Sequence, residues 1–486
     1  MTSSTDPHHR RRWAILAVLG FAQLMVVLDA TIVNIALPSA QADLGFSDEG
    51  RQWVITAYAL AFGGLLLLGG RLSDIFGRKR MFIVGLLGFS VASALGGAAG
   101  SFGVLVAARA AQGAFGALLA PAALSLLTTT FTDPTERRTA FGIYGAIAGA
   151  GGGLGLLLGG MLTEWLSWRW CLYVNLVIAI PVAIAAAGLL HAQVADVKPR
   201  LDLVGAVTAT LGLVSLVYGF SHAETDGWGD TVTIAMIAGG IVLLGLFVVA
   251  ETRVAQPLLP MRVVLDRDRG GAYLSVGIVG AGMFGVFLFL TYYLQQTLGF
   301  TPIQSGLSFL PMIGAIIISS TVSTTQLLGR VGPRPLVPTG MLLAAGAMVW
   351  LTGVEVDSSY ATAVLPALIV AGLGFGLIMA PSMASATLGV RPTDAGVASA
   401  MVNTTQQVGG SLGTALLSTF AATAASDFAA SRAPSAELAA QAAVHGYVTA
   451  FWWSAGIFLL GAVVSALVLR SGVQEADPTA EPVLAH

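Results

Sequence analysis

Apolar residues occur in long runs along the chain, and short polar or charged segments separate them. A bilayer core about 30 Å thick requires about 20 apolar residues per helix. Short alternating segments, which are typical of membrane β-barrels, are not found in the sequence. The pattern therefore predicts an all-α polytopic membrane protein with fourteen transmembrane helices, near 13–37, 52–70, 82–100, 103–129, 139–162, 170–191, 202–221, 231–250, 271–297, 303–325, 336–353, 362–388, 396–424 and 448–469.

The composition supports a membrane protein and excludes several other classes. Only 10% of the 486 residues are charged, whereas soluble domains contain about 25%. The net charge of −2 offers no general attraction to nucleic acid. The single cysteine, Cys171, cannot form an internal disulfide, and no Cys/His cluster indicates a metal site. We expect no cofactor and no metal.

The distribution of Lys and Arg predicts the orientation. When the N-terminus is placed in the cytoplasm, 19 of the 23 basic residues fall in cytoplasmic segments, as the positive-inside rule requires. We therefore expect cytoplasmic tails at 1–12 and 471–486. The first apolar run is too long for a signal peptide and contains Asp29, so we expect it to be a membrane helix.

Three sets of glycine-rich positions recur in the same order in the two halves of the chain. Two sets repeat at an offset of 260 residues and one at 255. The paired positions are Gly116–Pro121 with Gly376–Pro381, Gly149 and Gly153 with Gly409 and Gly413, and Gly77 and Gly85 with Gly332 and Gly340. This offset is longer than six membrane helices with their loops require, and the surplus corresponds to the length of about two further helices. Paired halves are a known plan of transporters.

The repeat predicts the organisation of the chain. We expect an N-terminal six-helix bundle at 13–191 and a C-terminal six-helix bundle at 271–470. Two inserted transmembrane helices would occupy 192–250, and a cytoplasmic linker at 251–270 would lie at the membrane interface.

The loop after the second span carries the most specific motif. Positive-inside charge and turn glycines explain its arginines, but they do not explain Asp74 or the glycine spacing. The loop resembles the signature G-x-x-x-D-x-x-G-R-[RK] of the major facilitator superfamily. That resemblance, which extends over about 13–470, implies a gating loop between two moving halves, formed by Gly70, Arg71, Asp74, Gly77, Arg78 and Lys79.

Two charged residues lie within apolar spans. The segment Leu28–Pro38, which contains Asp29, resembles the L-D-x-T-[IV]-V-N-x-A-L-P run of the fourteen-helix drug:proton antiporter branch, and Arg109 begins an R-x-x-Q-G pattern similar to the family's fourth helix. A carboxylate in hydrocarbon costs several kcal/mol unless it is paired, hydrated or protonated. The resemblance implies that Asp29 couples protons and that Arg109 tunes it. The alternative is a structural role, with a neutral Asp29 hydrogen-bonded between helices.

Two further segments resemble the same branch. The fifth span is similar to the antiporter signature G-x-x-x-G-P-x-x-G-G, with Leu156 at the proline position. We expect that this replacement removes a kink and weakens the indication of export. The thirteenth span resembles the N-T-x-[RQ]-Q-x-G-G-x-x-G helix, and Trp168–Trp170 with Asn175 resembles the W-R-W…N run. The antiporter positions of the fifth span are Gly151, Gly155, Gly159 and Gly160.

Together these features predict proton-coupled export of hydrophobic or amphipathic small molecules by alternating access. The protein would be a monomeric transporter, not an enzyme, in a bacterial inner membrane, where its partners are the substrate, protons and the lipid bilayer. No P-loop is present to power transport with ATP. A dedicated exporter of one metabolite, antibiotic or lipid fits the same motifs, and a membrane sensor that does not transport remains an alternative from another class.

Methionine, aromatic and amide side chains in the spans could form an adaptable cavity for varied ligands. The alternative is that they only pack against neighbouring helices or lipid. The positions predicted to line a substrate cavity are Met25, Asn34, Tyr58, Gln112, Phe284, Phe287, Tyr292, Gln295, Met379, Met383, Asn403 and Gln407.

Overall fold

The computed structural model describes residues 7–46, 48–190, 202–254, 257–391, 394–430 and 435–472. Within these residues the chain forms helices and connecting turns, without a strand. The helices of the first half and of the insertion are α1 (Pro7–Leu44), α2 (Asp48–Phe76), α3 (Arg78–Gly97), α4 (Phe102–Thr130), α5 (Pro134–Trp165), α6 (Trp170–Leu189), α7 (Leu203–Asp226) and α8 (Thr231–Glu251).

The second half contains several interrupted helices. Three five-residue π-helical turns occur within its spans, at Tyr293–Thr297, Ser323–Leu327 and Tyr360–Val364. The helices are α9 (Met261–Val264), α10 (Arg267–Tyr292), α11 (Pro302–Ser308), α12 (Leu310–Val322), α13 (Leu328–Val331), α14 (Pro333–Leu351), α15 (Leu365–Ala386), α16 (Ala395–Ala430) and α17 (Ala436–Val468).

The described residues contain thirteen helices long and apolar enough to cross a membrane, and fourteen spans when the bent helix α5 is counted. The all-α polytopic fold predicted from the hydrophobic runs is therefore confirmed. The helices alternate in direction, so α1, α3 and α5 begin at the same end of the bundle. We call this end, which carries Arg71, Arg78 and Arg137, the arginine-rich face.

Helix α5 bends by 43° between its segments Pro134–Ala148 and Gly151–Trp165. The expected effect of Leu156 at the proline position stays a prediction, because the bend lies at another point of the helix. The bend lies in the glycine-rich segment that precedes Leu156. Glycine lowers the cost of distorting a helix because it contributes no Cβ and has the widest backbone freedom.

The repeated positions occupy corresponding helices. Pro121 lies inside α4 and Pro381 inside α15, which are the fourth spans of their halves. Gly77 (φ 93°) and Gly332 (φ 75°) precede the third spans, α3 and α14. A positive φ favours glycine because other residues suffer a Cβ clash there, so both turns require the residue that the repeat places in them.

The inserted helix α7 contacts both halves. It packs against α2 and α16 as well as against α8. Thr56 Oγ1 on α2 lies 2.9 Å from Ser221 Oγ on α7. Beyond the end of α7, Trp228 Nε1 donates to Thr419 Oγ1 on α16 at 3.0 Å. The insertion therefore connects the two bundles near the face opposite the arginine-rich one.

The described part of the predicted linker also packs on both halves. Leu258 and Leu259 are buried in one apolar cluster with Leu67 of α2 and Val397 of α16. Apolar burial of this kind is worth about 1.5–3 kcal/mol for each fully buried leucine. These residues are therefore part of the protein core.

Candidate functional site

Asp29 and Arg109 form a buried ion pair. Asp29 lies in α1 and is 0% exposed, and Arg109 lies in α4 and is 2% exposed. Arg109 Nη1 donates to Asp29 Oδ2 at 2.6 Å. The two charged residues that the sequence places within apolar spans therefore meet, although they are 80 positions apart.

Two amide side chains complete the contacts of the carboxylate. Gln112 Nε2 donates to Asp29 Oδ1 at 2.6 Å, and Asn175 Nδ2 from α6 donates to the same oxygen at 2.7 Å. Arg109 Nη1 also donates to Gln112 Oε1 at 2.6 Å. Both carboxylate oxygens of Asp29 therefore accept charge-assisted hydrogen bonds.

Sequence reasoning recognised Asn175 only as part of a family run and missed Ser93. Asn175 Nδ2 lies 2.9 Å from Ser93 Oγ, which in turn donates to the carbonyl oxygen of Leu172 at 2.8 Å. The polarity of Asn175 within an apolar helix was the signal that could have placed it in the site. Ser93 gave no such signal, because small hydroxyl residues are common in membrane helices.

Helix α2 contributes the aromatic side of the site. The guanidinium carbon of Arg109 lies 4.4 Å from the centre of the Tyr58 ring, within the range of a cation–π interaction. Arg109 Nε also points to the carbonyl oxygen of Val54 at 3.5 Å. Tyr58 was predicted to line a cavity; in this conformation it is buried against Arg109. We call Asp29, Tyr58, Ser93, Arg109, Gln112 and Asn175 the Asp29 network.

The antiporter glycines bring α5 against the segment of α1 that carries Asp29. A Cβ at Gly155 would collide with Thr31 Oγ1 and would lie 3.0 Å from the carbonyl oxygen of Leu28, a tight contact. Small residues permit such close approach of membrane helices. The same contact includes Gly151 against Val27 and Gly159 against Ile32, and Gly160 is buried beside them.

The loop motif around Asp74 contacts the N-terminus of α16. Asp74 Oδ1 accepts a hydrogen bond from the backbone N–H of Gly396 at 3.1 Å, and Arg78 Nη2 lies 3.7 Å from the same oxygen. The first N–H groups of a helix have no partner within the helix, and its dipole favours an anion there. We call this contact between Asp74, Arg78 and Gly396 the Asp74 clasp.

The clasp requires glycine on both helices. A Cβ at Gly70 would lie 2.6 Å from the Gly396 carbonyl oxygen and 2.8 Å from the Ala400 Cβ. A Cβ at Gly396 would lie 2.8 Å from Asp74 Oδ1. The backbones of α2 and α16 are therefore in direct contact at the arginine-rich face.

The other basic residues of the loop have separate surroundings. Lys79 Nζ donates to the carbonyl oxygens of Ala187 and Leu190 at 2.7 and 2.6 Å, at the C-terminal end of α6. A cation at this position complements the helix dipole. Arg71 is buried, and its Nε has no hydrogen-bond partner within the described residues.

Most predicted cavity residues are buried in this conformation. Met25, Met379 and Met383 are at most 1% exposed, so a substrate reaches them only if the helices move. Asn403 Nδ2 donates to the Ser399 carbonyl oxygen of its own helix at 3.0 Å. Phe287, Gln295 and Gln407 are partly buried, and the side chains of Asn34 and Phe284 lie outside the described part of the chain.

Tyr292 is the exception, with 40% of its surface exposed. It lines a cavity of about 240 Å³ between α10, α16 and α17, together with Phe289 and Tyr447. This cavity lies toward the face opposite the arginine-rich one. It does not include the residues of the Asp29 network.

The fold and the gating loop correspond to a known family. The model of the Major Facilitator Superfamily matches residues 19–414, and the chain belongs to this superfamily of membrane transporters. The human organic anion transporter MFSD10 (TETRAN) shares the fold, with a TM-score of 0.64, 14% identity and coverage of 95% of this chain and 100% of that one.

Several curated relatives are named for antibiotics. The chain is 49% identical to the puromycin resistance protein pur8 of Streptomyces alboniger, over 97% of this chain and 94% of the relative. It is 40% identical to the cephamycin export protein CmcT of Amycolatopsis lactamdurans, over 82% of each. It is 36% identical to the uncharacterised transporter EfpA of Mycobacterium tuberculosis, over 82% of this chain and 75% of the relative. The relatives place the chain in the drug-efflux group of the superfamily.

Proposed function

We propose that this protein exports antibiotic-like hydrophobic or amphipathic molecules across a bacterial cytoplasmic membrane in exchange for protons. The relatives named for antibiotic resistance and export support the substrate class. The excess of Lys and Arg supports a cytoplasmic position of the arginine-rich face and of both termini. Both halves of the transport pathway lie in one chain, which supports function as a monomer.

The observation that carries proton coupling is the buried contact of Asp29 with Arg109. Breaking a buried ion pair by neutralising one partner leaves the other charge uncompensated. A proton on Asp29 would therefore weaken its bond to Arg109 and release α1 from α4. Arg109 keeps partial compensation from the Gln112 oxygen and the Tyr58 ring, so its charge can remain in the membrane during the change.

The Asp74 clasp supports alternating access. In this conformation α2 and α16 are in contact at the arginine-rich face, which restricts passage between the halves on that side. Proton binding at Asp29 from outside would favour the opposite-facing state, in which the clasp is open and substrate enters from the cytoplasm or the inner leaflet. Release of the proton to the cytoplasm restores the ion pair of Asp29 with Arg109 and favours return to the conformation in which the clasp is closed.

Inverted membrane vesicles with an imposed pH gradient test this proposal, with puromycin as the first substrate. The parent should accumulate puromycin when the lumen is acidic. Asp29→Asn keeps the size of the side chain but cannot titrate, so the variant should bind puromycin and lose accumulation driven by the gradient. Glu437→Gln, which changes an exposed carboxylate in the first turn of α17, is the matched control. Accumulation by Asp29→Asn at the parental rate would show that the proton uses another group.

The breadth of substrates separates a multidrug pump from a dedicated exporter. Relatives are named for single antibiotics, which favours a narrow substrate range as the second candidate. Expression in a host that lacks its own pumps, followed by growth on a panel of dyes and antibiotics, distinguishes the two. Resistance to one structural class supports the dedicated exporter, and resistance to several supports the multidrug pump.

A further inference from the structure

A pair of buried acidic residues lies outside the Asp29 network. Asp202 is the residue before α7 and is 8% exposed, and Glu251 ends α8 and is 3% exposed. The two carboxyl groups are close neighbours. Both carboxyl groups lie beside Gly205. A Cβ at this glycine would collide with Asp202 Oδ2 and with Glu251 Oε1. The glycine therefore leaves the space in which the two carboxyl groups meet.

In each carboxyl group of the pair, one oxygen accepts a hydrogen bond from a described residue and the other does not. Asp202 Oδ1 accepts from the Gly205 N–H at 2.9 Å, and Glu251 Oε2 accepts from the Leu259 N–H at 2.8 Å. The two remaining oxygens, Asp202 Oδ2 and Glu251 Oε1, are buried and have no donor within the described residues. A buried acceptor without a partner is unfavourable, and two ionised carboxylates in contact repel each other.

Among the described residues, no basic side chain pairs with Asp202 or Glu251. The pair adjoins the apolar cluster that contains Ala206, Phe247 and Leu258. Among the described basic residues nearby in the sequence or on packed helices, Arg253 is exposed. Arg262 pairs with Asp394 at 2.6 Å, and Arg71 acts on Asp74. Within the described residues, the charge that acts on Glu251 is that of Asp202.

We propose that Asp202 and Glu251 bind one proton between them, as a carboxylic acid hydrogen-bonded to a carboxylate. This single proton gives both orphaned oxygens a partner and removes one of the two buried negative charges. The site is separate from Asp29 and does not depend on the coupling role proposed for that residue. It is a proton-binding site on the inserted helices, at the arginine-rich face.

The site fastens the inserted helices to the linker between the halves. Glu251 holds the Leu259 amide, and Leu259 packs in the cluster that includes Leu67 of α2 and Val397 of α16. Val397 follows Gly396 of the Asp74 clasp. Loss of the shared proton places two negative charges in contact and loosens the linker where α2 meets α16.

Infrared spectroscopy of the purified protein in lipid nanodiscs tests the shared proton directly. The Asp29→Asn background removes the carboxyl group of the transport site. In this background we expect protonated carboxylic C=O intensity at neutral pH that decreases on adding Glu251→Gln or Asp202→Asn. Glu437→Gln should leave this intensity unchanged. A spectrum that neither Glu251→Gln nor Asp202→Asn alters would overturn the proposal.

The pH dependence of thermal unfolding provides a second test. The native pair keeps a proton that the carboxyl groups of the unfolded chain lose at about pH 4, so the stability of the parent should fall as the pH rises from about 5 until the native pair itself loses the proton. In Glu251→Gln the amide can donate to Asp202 without titrating, so the fall should become shallower. An unchanged pH dependence contradicts the proposal. Stabilisation of the parent by sodium or potassium, abolished in Glu251→Gln, would contradict it as well, because the site would then hold a metal cation.

Both tests use the purified protein without transport. Their outcome is therefore independent of the function proposed for Asp29: the shared proton can be present in a protein that does not couple through Asp29, and absent in one that does.

Discussion

Asp74 on α2 accepts a hydrogen bond from the backbone N–H of Gly396, 322 residues further along the chain, at 3.1 Å. This bond joins the loop motif of the first half to the start of α16 in the second half. It places the aspartate at the positive end of a helix dipole, where the N–H group would otherwise lack a partner. The loop that carries the family signature therefore contacts the second half of the chain through Asp74.

Replacing Asp74 with Asn should abolish transport and leave the protein folded and inserted. The amide oxygen can still accept from Gly396, but the charge that complements the helix terminus and Arg78 is lost. Hydrogen bonds to charged groups are worth about 1.5–3 kcal/mol, enough to shift a two-state equilibrium by about tenfold or more. Efflux from vesicles and thermal unfolding measure the two properties separately. Normal efflux by this variant would remove the gating role of the motif.

Gly70→Ala should prevent close contact of α2 with α16. The new Cβ would lie 2.6 Å from the Gly396 carbonyl oxygen, so the clasp cannot form without a shift of backbone. We expect longer distances between spin labels on the two helices at the arginine-rich face. Gly346→Ala, where a Cβ meets nothing within 4 Å, is the control and should gain about 0.5–1 kcal/mol of stability from helix propensity. Equal distances in Gly70→Ala and the parent would contradict the geometry.

Arg109→Lys should impair transport less than Arg109→Ala. Lysine keeps the positive charge opposite Asp29 but loses the planar guanidinium that also reaches Gln112 and Val54. Alanine leaves the carboxylate unpaired in a buried site, which costs about 3–5 kcal/mol. Transport rates in vesicles and melting temperatures should both follow the order parent, lysine variant, alanine variant. A lysine variant as inactive as the alanine variant would show that the guanidinium geometry matters more than its charge.

Asn175→Ala should weaken the Asp29 network without removing its charges. The substitution eliminates the donor to Asp29 Oδ1 and the contact with Ser93 Oγ. We expect a loss of stability of about 1–3 kcal/mol and slower transport driven by a pH gradient. Unfolding and vesicle assays of the variant, with Gln441→Ala at an exposed amide of α17 as the control, test whether the effect belongs to this network. Equal effects of the two substitutions on pH-driven transport would argue against a specific role of Asn175.

Rigid dicationic drugs should be poor substrates. Asp29 is the carboxylate placed deep in a span, and its oxygens already accept from Arg109, Gln112 and Asn175. A second buried positive charge would lack a compensating group. Competition assays with matched monocationic and dicationic compounds measure this preference. Efficient efflux of the dication would indicate an acidic residue in the pathway that the charge pattern does not reveal.

The sequence alone determined the membrane spans and singled out Asp29 and Arg109 as the charged residues within them. Apolar run length and the rarity of Asp29 and Arg109 in such runs are local properties, so they can be read without a structure. The loop motif around Asp74 and the drug-efflux family could likewise be predicted from short segments.

Only the tertiary structure decided which groups meet. It placed Asn175 and Ser93 around Asp29, turned Tyr58 from a predicted cavity residue into a partner of Arg109, and located the bend of α5 before Leu156. It also brought Asp202 to Glu251, at the two ends of the inserted helices. These contacts depend on how close the helices approach and how they are rotated about their axes, and a hydrophobic run specifies neither, because apolar residues surround the whole helix in a membrane.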